Sequence, residues 1–166
     1  MAKLKKQHMT IHWKAIVQDD SSIPATEATL KEKATLVGRI GLMMLSVGTG
    51  AWRVRNSMNK VSRCLGITCT ADIGLLAISY TCIEGTDTYT QSISLPTTGV
   101  NTHKLMELEL FMKEFPDKVS TYSVKHIHEV LDEIQKLPAN YKAWNLGLAS
   151  ALACGAFTFL LGGGPV

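Results

Sequence analysis

The sequence predicts an α+β domain, a small antiparallel sheet covered by helices, followed by one C-terminal transmembrane helix. Three observations carry that expectation. Apolar residues recur at helical spacing in four separate stretches, three short runs between them are rich in Ile, Thr, Tyr and Leu, and every charged side chain lies in residues 1–142. The last 24 residues carry no charge, so the low overall charged fraction of 19% is a property of the tail. Ordinary globular chains carry roughly 25%. A hydrophobic content of 46% argues against disorder, and the composition fits neither collagen, a coiled coil nor a disulfide-knotted domain.

Residues 1–28 show little periodicity and mix Lys, Gln, Asp, Ser, Thr and Pro, as a flexible N-terminal arm does. Thr29 and Glu32 have capping-box spacing, and Leu36, Val37, Ile40, Met44 and Val47 then form one apolar stripe up to the Gly48 and Gly50 stop. A second helix is expected over residues 51–65, with Val54, Met58, Val61 and Leu65 on its apolar face and Gly66 as its stop. After Gly66 the period changes, and residues 67–71, 75–83 and 89–95 read as three strands with a hairpin loop at 84–87. Asn101 is placed to cap a third helix with Leu105, Leu108, Met112 and Phe115 inward, broken at Pro116. A fourth starts at 120–123, buries Val124, Ile127, Leu131 and Ile134, and ends before Pro138. Helices gathered on one face of an antiparallel sheet make the α+β layout.

From Ala143 to Leu161 there are 19 uncharged residues, dense in Leu, Ala and Phe. That is about the number a helix needs to cross roughly 30 Å of hydrocarbon, and Trp144 beside Tyr141 and Lys142 has the composition of an interfacial anchor. Residues 141–166 are therefore expected to be a first transmembrane segment and residues 29–140 a cytoplasmic domain. The positive-inside rule puts residues 1–142 in the cytoplasm at the plasma membrane, with Lys125, Lys136 and Lys142 nearest the span. Four cysteines without two-residue spacing read as reduced core thiols, and no signal-peptide pattern opens the chain.

Templates for catalysis fail. Ser46 lacks the first glycine of a nucleophile elbow, Gly162-Gly163-Gly164 lacks the Lys-Ser/Thr of a phosphate loop, and His126 and His128, two apart on a helix, cannot share a metal and read as a solvated surface pair. No catalytic residue, metal or cofactor is expected, and a net charge of +3 is too mild for nucleic acid. The ligand-binding candidates are Arg53, Lys60 and Arg63, gathered on one side of the second helix, a basic face that together with the helix N-terminus behind Gly48 and Gly50 would attract a carboxylate or phosphate. Along the tail, Asn145, Ser150, Thr158, Gly162 and Gly163 are candidates for lining a membrane path or packing membrane helices.

Beyond these patterns, Leu45-Ser46-Val47-Gly48-Thr49-Gly50-Ala51-Trp52-Arg53-Val54, followed by Met58, Val61 and Leu65-Gly66, resembles the opening of the threonine/serine exporter-like family. So do the strands up to Leu95-Pro96, the Asn101 helix start, and Tyr141-Lys142-Ala143-Trp144 leading into Ala156-Phe157 and Leu161-Gly162-Gly163-Gly164. Two positions depart from the family pattern: Arg55 and Asn56 stand where an acidic residue often follows the Arg-Val pair, and Thr102 stands where Leu is common. The resemblance implies the N-terminal part of a secondary exporter of small polar metabolites, either threonine and serine or a dicarboxylate such as succinate. It also implies a large subunit of the two-component branch, ending after its first span, with a second small membrane subunit or self-association. The competing expectation is a membrane-tethered binding or regulatory domain with no transport activity of its own.

Overall fold

The computed structural model describes residues 11–17, 23–138 and 143–163. Helix α1 is a single turn, Trp13–Ile16, and a 3-10 turn spans Ala25–Glu27. Helix α2, Leu30–Ser46, begins with the expected capping box: Thr29 Oγ1 accepts from the Glu32 N–H at 3.4 Å while a Glu32 carboxylate oxygen accepts from the Thr29 N–H at 3.1 Å. Helix α3 is Ala51–Cys64, and strands β1, Thr68–Ile73, β2, Ala77–Glu84, and β3, Asp87–Ser94, form a meander in the order β1-β2-β3. Helix α4, Thr102–Lys118, α5, Val124–Lys136, and α6, Ala143–Leu160, complete the described residues. Asn101 and Ser123 cap α4 and α5 through their side chains, as Asn and Ser at those positions are suited to do.

The sheet is antiparallel and two-faced. Ile78, Tyr80 and Cys82 of the central strand are buried, and the alternate residues Ser79 and Thr81 face outward, where their hydroxyls meet those of Ser92 and Thr90 at 2.8 and 2.9 Å. On the inner face lie α2 and α3, and α4 and α5 pack behind them, so the helices form two layers rather than one. That arrangement corrects the single-stripe reading of α2. Every residue from Glu32 to Leu45 is buried, because the sheet covers one side of the helix and α1 and α5 the other. Within the stretch read as an arm, Trp13 and Ala25 are buried too.

Close approach of α2 to the sheet depends on Gly38. A Cβ there would stand 2.6 Å from Tyr80 Cε1, inside any van der Waals contact, and Tyr80 is pinned by its hydroxyl donating to Gln91 Oε1 at 2.8 Å. Gly38→Ala is therefore expected to cost about 1–3 kcal/mol, the usual penalty for overpacking a core, read from the urea unfolding midpoint. In a Tyr80→Leu background, which vacates the space, the same change should cost clearly less. Additive losses in the double variant would show that the helix–sheet gap is not set by this contact.

Pro116 does not end α4 as expected, and the helix runs through it to Lys118. Proline removes one N–H, leaving the carbonyl four residues back without its helical donor. That carbonyl belongs to Met112, and Lys60 Nζ donates to it at 2.7 Å from the neighbouring helix. The lysine replaces the missing bond, and the ring falls in the last turn, where the kink has little helix left to break.

Among the described residues no helix is long and apolar enough to cross a membrane, which corrects the expectation of a C-terminal transmembrane helix. The described helix α6 has 18 residues, a rise of about 27 Å, which lies at the short end of what roughly 30 Å of hydrocarbon requires, and Asn145, Ser150 and Thr158 interrupt its apolar sequence. Gly162, at φ +85°, ends the helix in a left-handed turn, with the Gly163 N–H reaching back to the Thr158 carbonyl at 2.9 Å. Tyr141 and Lys142 of the anchor and the final Gly164-Pro165-Val166 lie outside the described residues.

Candidate functional site

Five side chains from α1, α2 and α5 meet on the side of α2 away from the sheet. Arg39, 5% exposed, sends Nη1 to His128 Nδ1 at 3.0 Å and to the His128 carbonyl at 2.9 Å, while Nη2 donates to Asp132 and to Gln135 Oε1 at 3.2 Å. Trp13 closes the cluster, its ring stacked on His128 at 4.6 Å between centroids and 5.4 Å from the Arg39 guanidinium carbon. Because arginine only donates, His128 Nδ1 must accept, so its proton sits on Nε2. Burial, reinforced by the positive charge of Arg39, pulls His128 down to about 3, and the ring is neutral at physiological pH. Burial also lowers Arg39, against the opposing hydrogen bond and charge of Asp132. The reading of His126 and His128 as a surface pair is thus corrected: His126 is exposed and His128 fully buried, because their 200° separation on α5 points one at solvent and the other at α2.

Beside this cluster opens a cavity of about 290 Å³, bounded by the end of α2, the segment after β3, and the facing sides of α4 and α5. Its walls are mainly apolar, with Leu42, Met43, Leu95 and Leu108, and its polar groups are Arg39, Lys104, Gln135, Ser46 and Thr97. Lys104 is held over the cavity by donating to the Gln135 carbonyl at 2.7 Å, a neutral partner, whereas the charge of Arg39 is met by Asp132. An apolar wall with a few converging polar groups is the ordinary make-up of a small-molecule pocket, and the size lies near the lower end of the usual roughly 300–1,000 Å³. Of the two cations on its wall, Arg39 is committed to His128, Asp132 and Gln135, which leaves Lys104 as the one met only by a neutral carbonyl.

The sequence candidates fall elsewhere. Arg53 and Lys60 line a shallow depression of about 210 Å³ between α3 and α4, but Arg53 is paired with Glu109 and Lys60 is engaged at the Met112 carbonyl. Arg63 is exposed in the last turn of α3, away from that depression, where its charge complements the helix C-terminus. On α6, at about 100° per residue, Ser150 and Thr158 each stand about 140° from Asn145 on opposite sides, so the three do not share a face. Thr158 Oγ1 donates to the Cys154 carbonyl at 2.9 Å, and Gly162 and Gly163 form the helix stop. Neither Arg39 nor Lys104 was singled out by pattern. A signal existed for the first, since Arg39 is the only charged residue between Lys33 and Arg53 and sits inside an apolar run; Lys104 carried none.

Among the described residues no group of three or more His, Cys, Asp or Glu is placed to hold a metal ion. Compared with known proteins, the family model for threonine/serine exporters matches residues 35–166. No curated protein and no solved structure matches the chain. The match extends over most of the chain, through both helical layers, the sheet and α6, and on that ground the chain belongs to the threonine/serine exporter family.

Proposed function

We propose that the chain serves in a secondary exporter of small polar metabolites, threonine and serine or a dicarboxylate such as succinate, and that its α+β domain binds the exported molecule in the cavity under Lys104. Family membership supplies the transport class. The observation that carries the rest is the cavity itself, with apolar walls, a size suited to a small metabolite, and a lysine whose charge is met by a carbonyl instead of a carboxylate. No covalent chemistry is needed. Binding biases a transport equilibrium only if the domain holds substrate better in one conformation than in the other.

In this reading α6 is where the domain meets the plasma membrane. It has no polar face, its few polar residues Asn145, Ser150 and Thr158 being spread around it, and it is exposed from Trp144 to Leu160, which water does not tolerate in isolation. Since α6 is short for a crossing and one helix encloses no path, it packs against further membrane helices, supplied by the same exporter, a second small membrane subunit or another copy. The Lys and Arg residues of 1–142 favour placing the domain on the cytoplasmic side.

Efflux of labelled threonine and of labelled succinate from preloaded cells, with and without the exporter containing this chain, tests the reading. One of the two is expected to leave faster when the exporter is present, and Lys104→Ala should raise its half-saturating concentration about tenfold, the equivalent of one lost charge-assisted hydrogen bond. Efflux of both substrates unchanged by the exporter would refute the transport assignment. An unchanged half-saturating concentration in Lys104→Ala would refute the cavity as the binding site.

A further inference from the structure

We propose that Cys69 and Cys82 form an oxidation site, a thiol pair on adjacent strands that closes to a disulfide when a hydroperoxide reaches it. The two residues are direct partners in the β1–β2 register. Their position within the ladder follows from the neighbouring hairpin. Glu84 and Asp87 close a two-residue loop, and the closing pair of such a loop exchanges both backbone hydrogen bonds. Counting back by twos, Cys82 directs its N–H and C=O toward β3, so toward β1 it presents none. Cys69 and Cys82 are therefore a non-hydrogen-bonded pair, the kind in which Cα atoms stand about 4.5 Å apart and side chains approach closest. The same phase places Ser79 with Ser92 and Thr81 with Thr90 in non-hydrogen-bonded pairs on the β3 side, and their hydroxyls do meet, at 2.8 and 2.9 Å. A disulfide requires Cα atoms roughly 4.4–6.8 Å apart, so the strands need not move to form one.

The pair is also graded in access and reactivity. Cys82 is fully buried in the central strand, while Cys69 is half-buried on the edge strand. A hydrogen bond from the Cys82 thiol, helped by the Ser62 hydroxyl, holds Cys69 below the ordinary thiol range against the opposing effect of burial; the same bond and burial push Cys82 up. Cys69 is thus the attacking sulfur and Cys82 the resolving one. Cys64, at the end of α3, and Cys154, exposed on α6, have no cysteine opposite them in a strand register.

The Cys69 thiolate attacks one peroxide oxygen, the O–O bond breaks, and the departing oxygen takes a proton to leave as water or an alcohol. Cys69 becomes a sulfenic acid. The Cys82 sulfur then attacks the Cys69 sulfur, the S–O bond breaks, and hydroxide leaves as water with the Cys82 proton. In sum two thiols lose two electrons and two protons, and one hydroperoxide is reduced.

The test uses the full chain, purified in detergent and fully reduced, then exposed to hydrogen peroxide and mapped by mass spectrometry after alkylation. Free thiols are expected to fall from four to two, with the chain about 2 Da lighter, a peptide joining Cys69 to Cys82, and Cys64 and Cys154 still alkylated. Cys82→Ser should leave a sulfenic acid at Cys69 that dimedone traps, and Cys69→Ser should abolish the link. Cys69 and Cys82 both remaining free while Cys154 oxidises, or links only between chains, would overturn the proposal. The mapping on the unsubstituted chain decides the matter even if Cys82→Ser does not fold.

Discussion

Asp132→Ala is expected to cost the fold about 3–5 kcal/mol, the loss that follows when one member of a buried ion pair is removed. The size comes from Arg39, whose side chain is 6% exposed, rather than from Asp132, which at 29% still touches water. Without the carboxylate the guanidinium keeps only neutral acceptors, His128 and Gln135, and a buried charge without a counter-charge is costly. Asp132→Asn retains an acceptor and should cost less. Arg39→Met combined with Asp132→Leu removes both charges and should cost less than Asp132→Ala alone. Urea unfolding at pH 7 measures all three. A loss below about 1 kcal/mol for Asp132→Ala would mean that Arg39 is solvated in solution and the cluster is open.

Acid should destabilise the protein through His128. Its folded value is about 3 against 6.5 for an unperturbed histidine, so between those values the unfolded chain binds a proton that the folded chain refuses. Stability from this group is therefore fully present above about pH 6.5 and is lost as pH falls toward 3. The slope is about 1.4 kcal/mol per pH unit, and the whole window is worth on the order of 5 kcal/mol. Carboxylates titrate over part of the same range, so the readout is a difference. The stability of the unsubstituted chain minus that of His128→Gln, followed by urea unfolding from pH 7 to pH 4, should fall with acid by about that slope. A flat difference would show that His128 is protonated in the folded state, with Arg39 turned away from Nδ1.

Much of the architecture was legible in local chemistry. The Thr29 capping box, the Asn101 and Ser123 caps and the hairpin at 84–87 are short-range devices, complete within a few residues, and each appears where its residue types predict. Pro116 misled because its effect on a helix depends on whether something else donates to the freed carbonyl, and the donor, Lys60, is 52 residues away. The same lysine and Arg53 stand out in sequence as cations, and only the folded chain shows the groups they meet, the Met112 carbonyl and Glu109. Family likeness was readable from the order of motifs over the chain and agrees with the match over residues 35–166.

By itself the sequence determined the α+β class, the positions of the three strands and of the helices from α2 onward, the family, and the separation of a charged domain from an uncharged tail. Periodicity and capping are properties of neighbours in the chain, and they survive without knowledge of what packs where. Only the tertiary structure decided that α2 is enclosed on every side, that His128 is buried, that Arg39 and Lys104 border the cavity, and that Cys69 faces Cys82. Each of those is a meeting of elements distant in sequence or a register between strands. A one-residue slip of β1 would turn Cys69 to the outer face of the sheet, and no residue in β1 announces the register it will take.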